Sequence, residues 1–195
     1  MAYNIIQNND SIQITNDVTR VGAPKQPASG SVTAKHEQFG PLTQTTLTLN
    51  NVAQTVTNGT EYQSTQIYDF PAGRLLVLGV TATLQQKTTS AIASTINSGV
   101  TGAISLGTAA ASNVSLTSTM VDLLPSTAFT SSTTINVAGT AVTAALSASA
   151  HFDGTSTAKD MYLNTAYATT TDVDGNGTQT ISGTIVITWI NLGDY

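Results

Sequence analysis

The sequence predicts an all-β fold, a β-sandwich or jelly-roll-like domain with an extended N-terminal arm. Three observations predict it. Segments of apolar/polar alternation recur along the chain, the period of a half-buried strand. Gly, Pro and Asn clusters separate them and supply turn chemistry. Thr makes up 36 of the 195 residues, and a β-branched side chain suits a pleated surface. The length allows one domain with an arm, divided as 1–40 for the arm and 41–195 for the sandwich.

Residues 1–40 are rich in Asn, Gln, Ser, Lys and Pro and poor in apolar side chains. Pro24 and Pro27 lead into the Gly/Ser-containing stretch Ala28-Ser29-Gly30-Ser31, and Ile12 and Ile14 alternate with Gln13 and Thr15. This predicts an extended arm with one short strand. The arm is either a loose terminus or a segment that orders on a partner. In the second case Ile5, Ile6, Ile12 and Ile14 are its anchors.

From Leu42 the pattern becomes β. Leu47 and Leu49 alternate with Thr46 and Thr48. Tyr62 to Phe70 reads as a strand with Gln63, Thr65, Ile67 and Asp69 on one face, ended by Pro71-Ala72-Gly73. Leu76, Leu78, Val80, Ala82 and Leu84 are expected on one face of the next strand, with Leu75, Val77, Thr81 and Thr83 on the other. In Thr88–Ser112, Ser90 with Ile92 and Ile96 allows a short helix that Gly99 and Gly102 stop. Ser118–Leu124 reads as one helical turn, capped by Ser118 or Thr119, with Asp122 near its start and Pro125 after it. Thr133–Ala150 returns to β, with Val142, Ala144, Leu146, Ala148 and Ala150 on one face. Met161, Leu163, Thr165 and Tyr167 mark the next strand. The last segment is the clearest: Ile181, Gly183, Ile185, Ile187 and Trp189 share one face over ten residues, and this strand closes the fold.

Composition excludes several functions. Charged residues are only 9% of the chain, the net charge is −5 and the pI is near 4.6. Six scattered cations give no footprint for a phosphate backbone, so no nucleic-acid partner is expected. Zero cysteine removes disulfides, thiolate metal sites and a cysteine nucleophile. The longest apolar run, Leu75–Val80, is too short to span a bilayer, so no membrane partner is expected. The N-terminus has neither the cationic nor the apolar region of a cleaved leader. The expectation is a soluble chain made in the cytosol. Between Thr88 and Ala158 there is no Lys or Arg, and such a surface can pack against another molecule without stranding ions.

Few residues suggest chemistry. Asp172-Val173-Asp174-Gly175-Asn176-Gly177 fits the first half of a calcium loop, with Asp172, Asp174 and Asn176 as oxygen donors. Its twelfth position is Gly183 rather than a bidentate Glu. The competing reading is a polar loop in which Gly175 and Gly177 supply positive φ. His36 and His151 show no metal spacing and no nucleophile elbow. Asp153–Lys159 departs from a phosphate loop and reads as a turn before a strand. Glu37, Glu61, Asp69 and Asp153 could supply a carboxylate pair, but no spacing unites two of them. No cofactor is expected, and the chain reads as non-enzymatic.

Four stretches resemble a known family. They are Gly40-Pro41-Leu42-Thr43-Gln44-Thr45-Thr46-Leu47-Thr48-Leu49, Ile67-Tyr68-Asp69-Phe70-Pro71-Ala72-Gly73, residues 152–164 (Phe152-Asp153-Gly154 through Tyr162-Leu163-Asn164), and residues 183–194 (Gly183-Thr184-Ile185 through Leu192-Gly193-Asp194). They look like a group of small tailed-bacteriophage virion proteins, the capsid decoration, cement or stabilisation proteins. The resemblance covers most of the chain after residue 40 and does not extend to the arm. It implies a β-rich, non-enzymatic protein on the outer surface of an icosahedral head, made in the host cytoplasm. It also implies the major capsid protein as partner and self-association as a homotrimer. The alternative is a head-fibre or spike-type adhesin binding host-surface carbohydrate, which requires clustered exposed aromatics.

Overall fold

The alternating segments pair into two antiparallel sheets packed face to face. A computed structural model describes residues 5–8, 11–14, 22–25, 31–87, 101–130, 142–145, 150–168, 173 and 175–193. Its strands are β1 (Ile5–Asn8), β2 (Ser11–Ile14), β3 (Ala23–Pro24), β4 (Val32–Phe39), β5 (Leu42–Val56), β6 (Tyr62–Asp69), β7 (Gly73–Lys87), β8 (Thr101–Gly107), β9 (Leu124–Thr130), β10 (Val142–Ala145), β11 (Ala150–Gly154), β12 (Asp160–Tyr167) and β13 (Gly177–Gly193). The larger sheet runs β1-β2-β4-β5-β13-β7-β10, with β11 also on β7; the smaller runs β3-β6-β12-β8-β9. The chain is thus an all-β sandwich.

The C-terminal strand is the spine of the larger sheet. β13 pairs with β5 on one side and β7 on the other along nearly its whole length. Ile181, Ile185, Ile187 and Trp189 are all fully buried, as the period-two pattern predicts. Removing four such side chains from water supplies roughly 1.5–3 kcal/mol each. Against them the smaller sheet sets Ile67, Tyr68, Phe70, Leu106, Met161 and Leu163. Tyr68, Phe70 and Trp189 stack edge to face in sequence, with centroids 5.1 and 6.0 Å apart, the geometry ring quadrupoles favour. The Trp189 indole N–H donates to Thr45 Oγ1 at 3.0 Å.

β-Bulges correct the face predicted for β7. Leu75 and Val77 are buried, and so are Val80, Ala82 and Leu84. The register against β13 slips where Thr188 faces Gly79 and Trp189 faces Val77. Leu78 is therefore an extra residue, and one inserted residue flips all later side chains to the opposite face. Leu76 and Leu78 consequently point out of the sandwich, and Leu78 is 49% exposed. β6 slips likewise, between Tyr68 and Gln66 opposite β12, so Tyr68 and Phe70 join Ile67 inside. β5 shifts phase at Asn50-Asn51, where Asn51 takes φ +51°.

The predicted boundary at residue 40 is not a boundary of the sheet. Residues 32–39, placed in the arm by composition, form β4 and pair with β5 from Val32↔Leu49 to Phe39↔Leu42. Val32 is fully buried. The reason is local: Val32 and Ala34 meet Leu49 and Leu47 across the pair, so this polar strand needs few apolar residues. Ahead of it, β1 and β2 form a hairpin with Ile5 opposite Ile14 and Gln7 opposite Ile12. The hairpin extends the sheet through one β2–β4 register pair, Ile12↔Gln38.

The helical readings are also revised. Ser118–Met120 is a single 3₁₀ turn with Thr117 at the N-cap, and no side chain caps it. Leu124 and Pro125 already belong to β9. Asp122 instead accepts bonds from the Thr108 N–H and hydroxyl, at 2.8 and 2.6 Å. Residues 88–100, with the Ser90–Ile96 helix, lie outside the described residues, whereas Gly102 lies within β8. Of Thr133–Ala150, only Val142–Ala145 and Ala150 are described, all in strands.

Candidate interaction surface

Side chains alternate across a strand, so burying Leu47, Leu49, Ile185, Ile187, Ala82 and Leu84 turns their neighbours outward. Register then sorts the outward residues into rows. Thr33, Thr48, Thr184 and Thr83 stand side by side across β4, β5, β13 and β7, and all four are exposed. The next row is Lys35, Thr46, Val186 and Thr81. At the far end of the sheet the row is Phe39, Leu42, Ile190 and Leu76, with His151 of β11 beyond Leu76.

That last row is apolar across four strands, roughly 14 Å at normal strand spacing. Phe39 is 47% exposed, Leu78 lies beside the row at 49%, and Leu192 is exposed at 40%. Three of the four large apolar side chains exposed among the described residues thus lie at one end of one face. The row is contiguous rather than scattered, which makes it the candidate interaction surface of the chain. Around it the face is free of charge: β5, β13 and residues 75–86 of β7 contain no Asp, Glu, Lys or Arg. Charges sit at the margins. Lys35 bonds Glu37 at 2.7 Å on β4, and Arg74 and Asp153 stand opposite each other where β7 meets β11.

The outer face of the smaller sheet is covered by its own chain around Ser105, Asn164 and Ala166. Fully buried Asn164 of β12 donates to the carbonyls of Ala109 and Met120, both at 3.0 Å, and accepts from Ala111 N–H at 2.9 Å. Ser105 donates to the same Met120 carbonyl at 2.8 Å. Leu116, Met120 and Ala166 form a small second core beneath this loop.

The remaining candidates come out as follows. Asp172 and Asp174 lie outside the described residues. Asn176 Oδ1 accepts the Asn58 N–H at 2.8 Å, joining its loop to the β5–β6 turn, where Gly59 N–H also reaches the Val173 carbonyl at 3.2 Å. Among the described residues no group of three or more His, Cys, Asp or Glu is placed to hold a metal ion. The arm residues Ile5, Ile6, Ile12 and Ile14 lie on one hairpin, where Ile5 faces Ile14 while Ile6 faces Gln13 and Ile12 faces Gln7. Half-buried His36 meets Thr45 Oγ1 at 3.0 Å, and burial lowers its pKa; His151 is exposed. Asp153 accepts the Thr155 N–H and hydroxyl at 3.1 and 2.7 Å, a side-chain-closed turn.

Two groupings escaped sequence reasoning. Asp69 stands directly opposite Asp160, and Lys25 pairs with Asp69 at 2.8 Å. Burial first, and then the Asp69 carboxylate, raise the Asp160 pKa. Inside the sandwich, Gln54, Gln63, Gln86, Thr165, Tyr167 and Gln179 form a buried hydrogen-bonded knot. Its signal was Gln at inward-phase positions of several strands. Glu61 is also buried, and its Oε1 has no hydrogen-bond partner among the described residues.

Together these features define an all-β sandwich whose larger sheet offers a face with an apolar row, free of charge across β5, β13 and residues 75–86 of β7. Neither a family model, nor a curated protein, nor a solved structure matches the chain.

Proposed function

We propose that this protein is a non-enzymatic virion component that binds the outside of a tailed-phage icosahedral head and stabilises the shell, with the major capsid protein as partner. The observation that carries the reading is the outer face of the larger sheet, where an apolar row borders a field of Thr that is free of charge across β5, β13 and residues 75–86 of β7. A protein lattice can cover such a face without desolvating ions. The sequence resemblance to decoration proteins points the same way. Association of copies into a homotrimer, location on the virion surface and synthesis in the host cytoplasm belong to the same reading.

The mechanism is mass action. A protein that binds only the assembled shell stabilises it by RT ln(1 + [L]/Kd) per site, and many sites on one particle add up. The carbohydrate-adhesin reading has less support, because the single Trp189 is fully buried and cannot stack on a sugar.

The test mixes purified protein with matching heads that lack it, and follows co-sedimentation and the temperature of DNA release. Saturable binding with a raised release temperature is expected. Leu78→Lys combined with Ile190→Lys should weaken binding about tenfold or more, as loss of a central apolar contact does. No binding to heads, or equal binding by the variant, would overturn the reading.

A further inference from the structure

Among the described residues, one side of the sandwich is only half closed. β4 covers the edge of β5 from Leu42 to Leu49 and stops there. β3 covers the edge of β6 at Tyr68 and Asp69, and the Lys25 N–H extends this by one bond to the Ile67 carbonyl at 3.0 Å. Beyond those points no strand among the described residues pairs with residues 51–56 of β5 on that side, or with residues 62–66 of β6. Between the two edges lies a groove of about 480 Å³, with Ala53 and Thr55 on one wall and Tyr62, Ser64 and Gln66 on the other. Lys25 closes its upper end. The Ser64 hydroxyl oxygen is buried there without a hydrogen-bond partner among the described residues.

The same chain carries a strand of matching kind. β1 has one partner, β2, among the described strands, so its other edge is open. Its sequence, Ile-Ile-Gln-Asn, is uncharged like the groove walls, and its four residues match the five-residue open edge of β6. The hairpin meets its own sheet at one register pair. Gly22, buried at φ +81° against the Asp69 carbonyl and the Tyr68 ring, fixes where β3 begins.

We propose that the N-terminal hairpin of one copy docks in this groove on a second copy, with β1 continuing the line of β3 along the edge of β6. An unpaired edge is a template for strand addition, main-chain hydrogen bonds supply the affinity, and Ser64 gains a partner. The inference deepens the self-association contained in the proposed function by naming its surface. It is tested on free protein without shells, so the two can fail separately.

The chain has no cysteine, so disulfide trapping is clean. Full-length chains carrying Ile6→Cys are mixed with chains carrying Ser64→Cys and oxidised mildly. Ile5→Cys and Gln7→Cys scan the register, and Thr184→Cys on the outer sheet face is the collision control. Opposed strand residues lie within disulfide reach, so mixed dimers with Ser64→Cys should exceed those with Thr184→Cys severalfold. In parallel, light scattering should find the full chain self-associated, and deletion of residues 1–20 or Ser64→Lys should shift it to monomer. A monomeric full chain, an unchanged state after the deletion, or trapping no better than the control would overturn the proposal.

Discussion

Gln179 of β13 donates through its side-chain amide to Gln54 Oε1 of β5 at 2.9 Å, and the two residues are register partners. The same Gln179 amide lies 2.9 Å from Thr165 Oγ1, and its Oε1 accepts from the Tyr167 hydroxyl and the Gln86 amide, both at 2.5 Å. Gln179 therefore ties three strands of the larger sheet to β12 of the smaller one. Burial pushes the Tyr167 phenol far above its ordinary pKa, so it stays a donor at any working pH.

Replacing Gln179 with Leu keeps most of the volume and strips five buried polar groups, on Gln54, Gln63, Gln86, Thr165 and Tyr167, of a partner. The expected cost is about 2–4 kcal/mol, because each unsatisfied buried group carries its own desolvation penalty. Urea unfolding followed by the fluorescence of Trp189 measures it. Tyr167→Phe should cost less, and the double variant should fall short of the sum. Additive losses would show that the knot is not one network.

Two glycines of the larger sheet separate backbone strain from packing. Gly183 holds φ +145°, and a Cβ there would lie 2.1 Å from the Thr83 carbonyl oxygen. Gly79, at the β7 bulge, has open space where a Cβ would go. Gly183→Ala should cost roughly 3 kcal/mol or more, combining forbidden φ with a backbone clash. Gly79→Ala should change stability by less than about 1 kcal/mol. Thermal unfolding of the two side by side gives the comparison, and similar losses would refute the assignment of strain to Gly183.

Much of this architecture was legible because period two is a direct readout of one buried face. β13 and the first half of β5 follow it without interruption. The reading failed where an inserted residue changed phase. Nothing in Leu75–Leu84 distinguishes Leu78 as the extra residue, since all neighbours are apolar; only the partner strand fixes the slip. β4 was hidden for another reason: its face is mostly polar, and its pairing depends on Leu47 and Leu49 eight or more residues away. The apolar row was unreadable in sequence because Phe39, Leu42, Leu76 and Ile190 become neighbours only through the register of four strands.

The opposed carboxylates make a signed pH prediction. Burial and the facing Asp69 raise the Asp160 pKa above its ordinary 3.8. Between 3.8 and the raised value the folded chain binds more protons than the unfolded chain, so stability falls as pH rises through that window. This contribution is complete below 3.8 and gone above the folded value. Asp160→Asn removes the titration while keeping an acceptor for the Tyr162 hydroxyl, which lies 3.4 Å from Asp160. The variant's stability relative to the parent should therefore climb with pH through the window and then level off. Asp122, also raised mainly by burial, is common to both chains and cancels. Denaturation midpoints from pH 3 to about 7 test this across the usual carboxylate range, and parallel curves would disprove it.

Asn164 offers a test of local rather than global stability. Its side chain is the link between β12 and the loop over the smaller sheet, holding Ala109 and Met120 by their carbonyls and Ala111 by its N–H. Asn164→Leu would strip the Ala109 carbonyl and the Ala111 N–H of this partner, at about 1–3 kcal/mol for each that finds no water, while the Met120 carbonyl keeps its bond from Ser105. The loop's own apolar anchors, Leu116 and Met120, pack on Ala166 rather than on the main core. The loop can therefore open while β13, β5 and β7 stay paired, as a separate unit of low stability. Hydrogen exchange should show the Ala111 amide losing protection by orders of magnitude, while amides of Ile185 and Ile187 exchange nearly as before. Equal loss at both places would mean that the loop and the sandwich unfold as one unit.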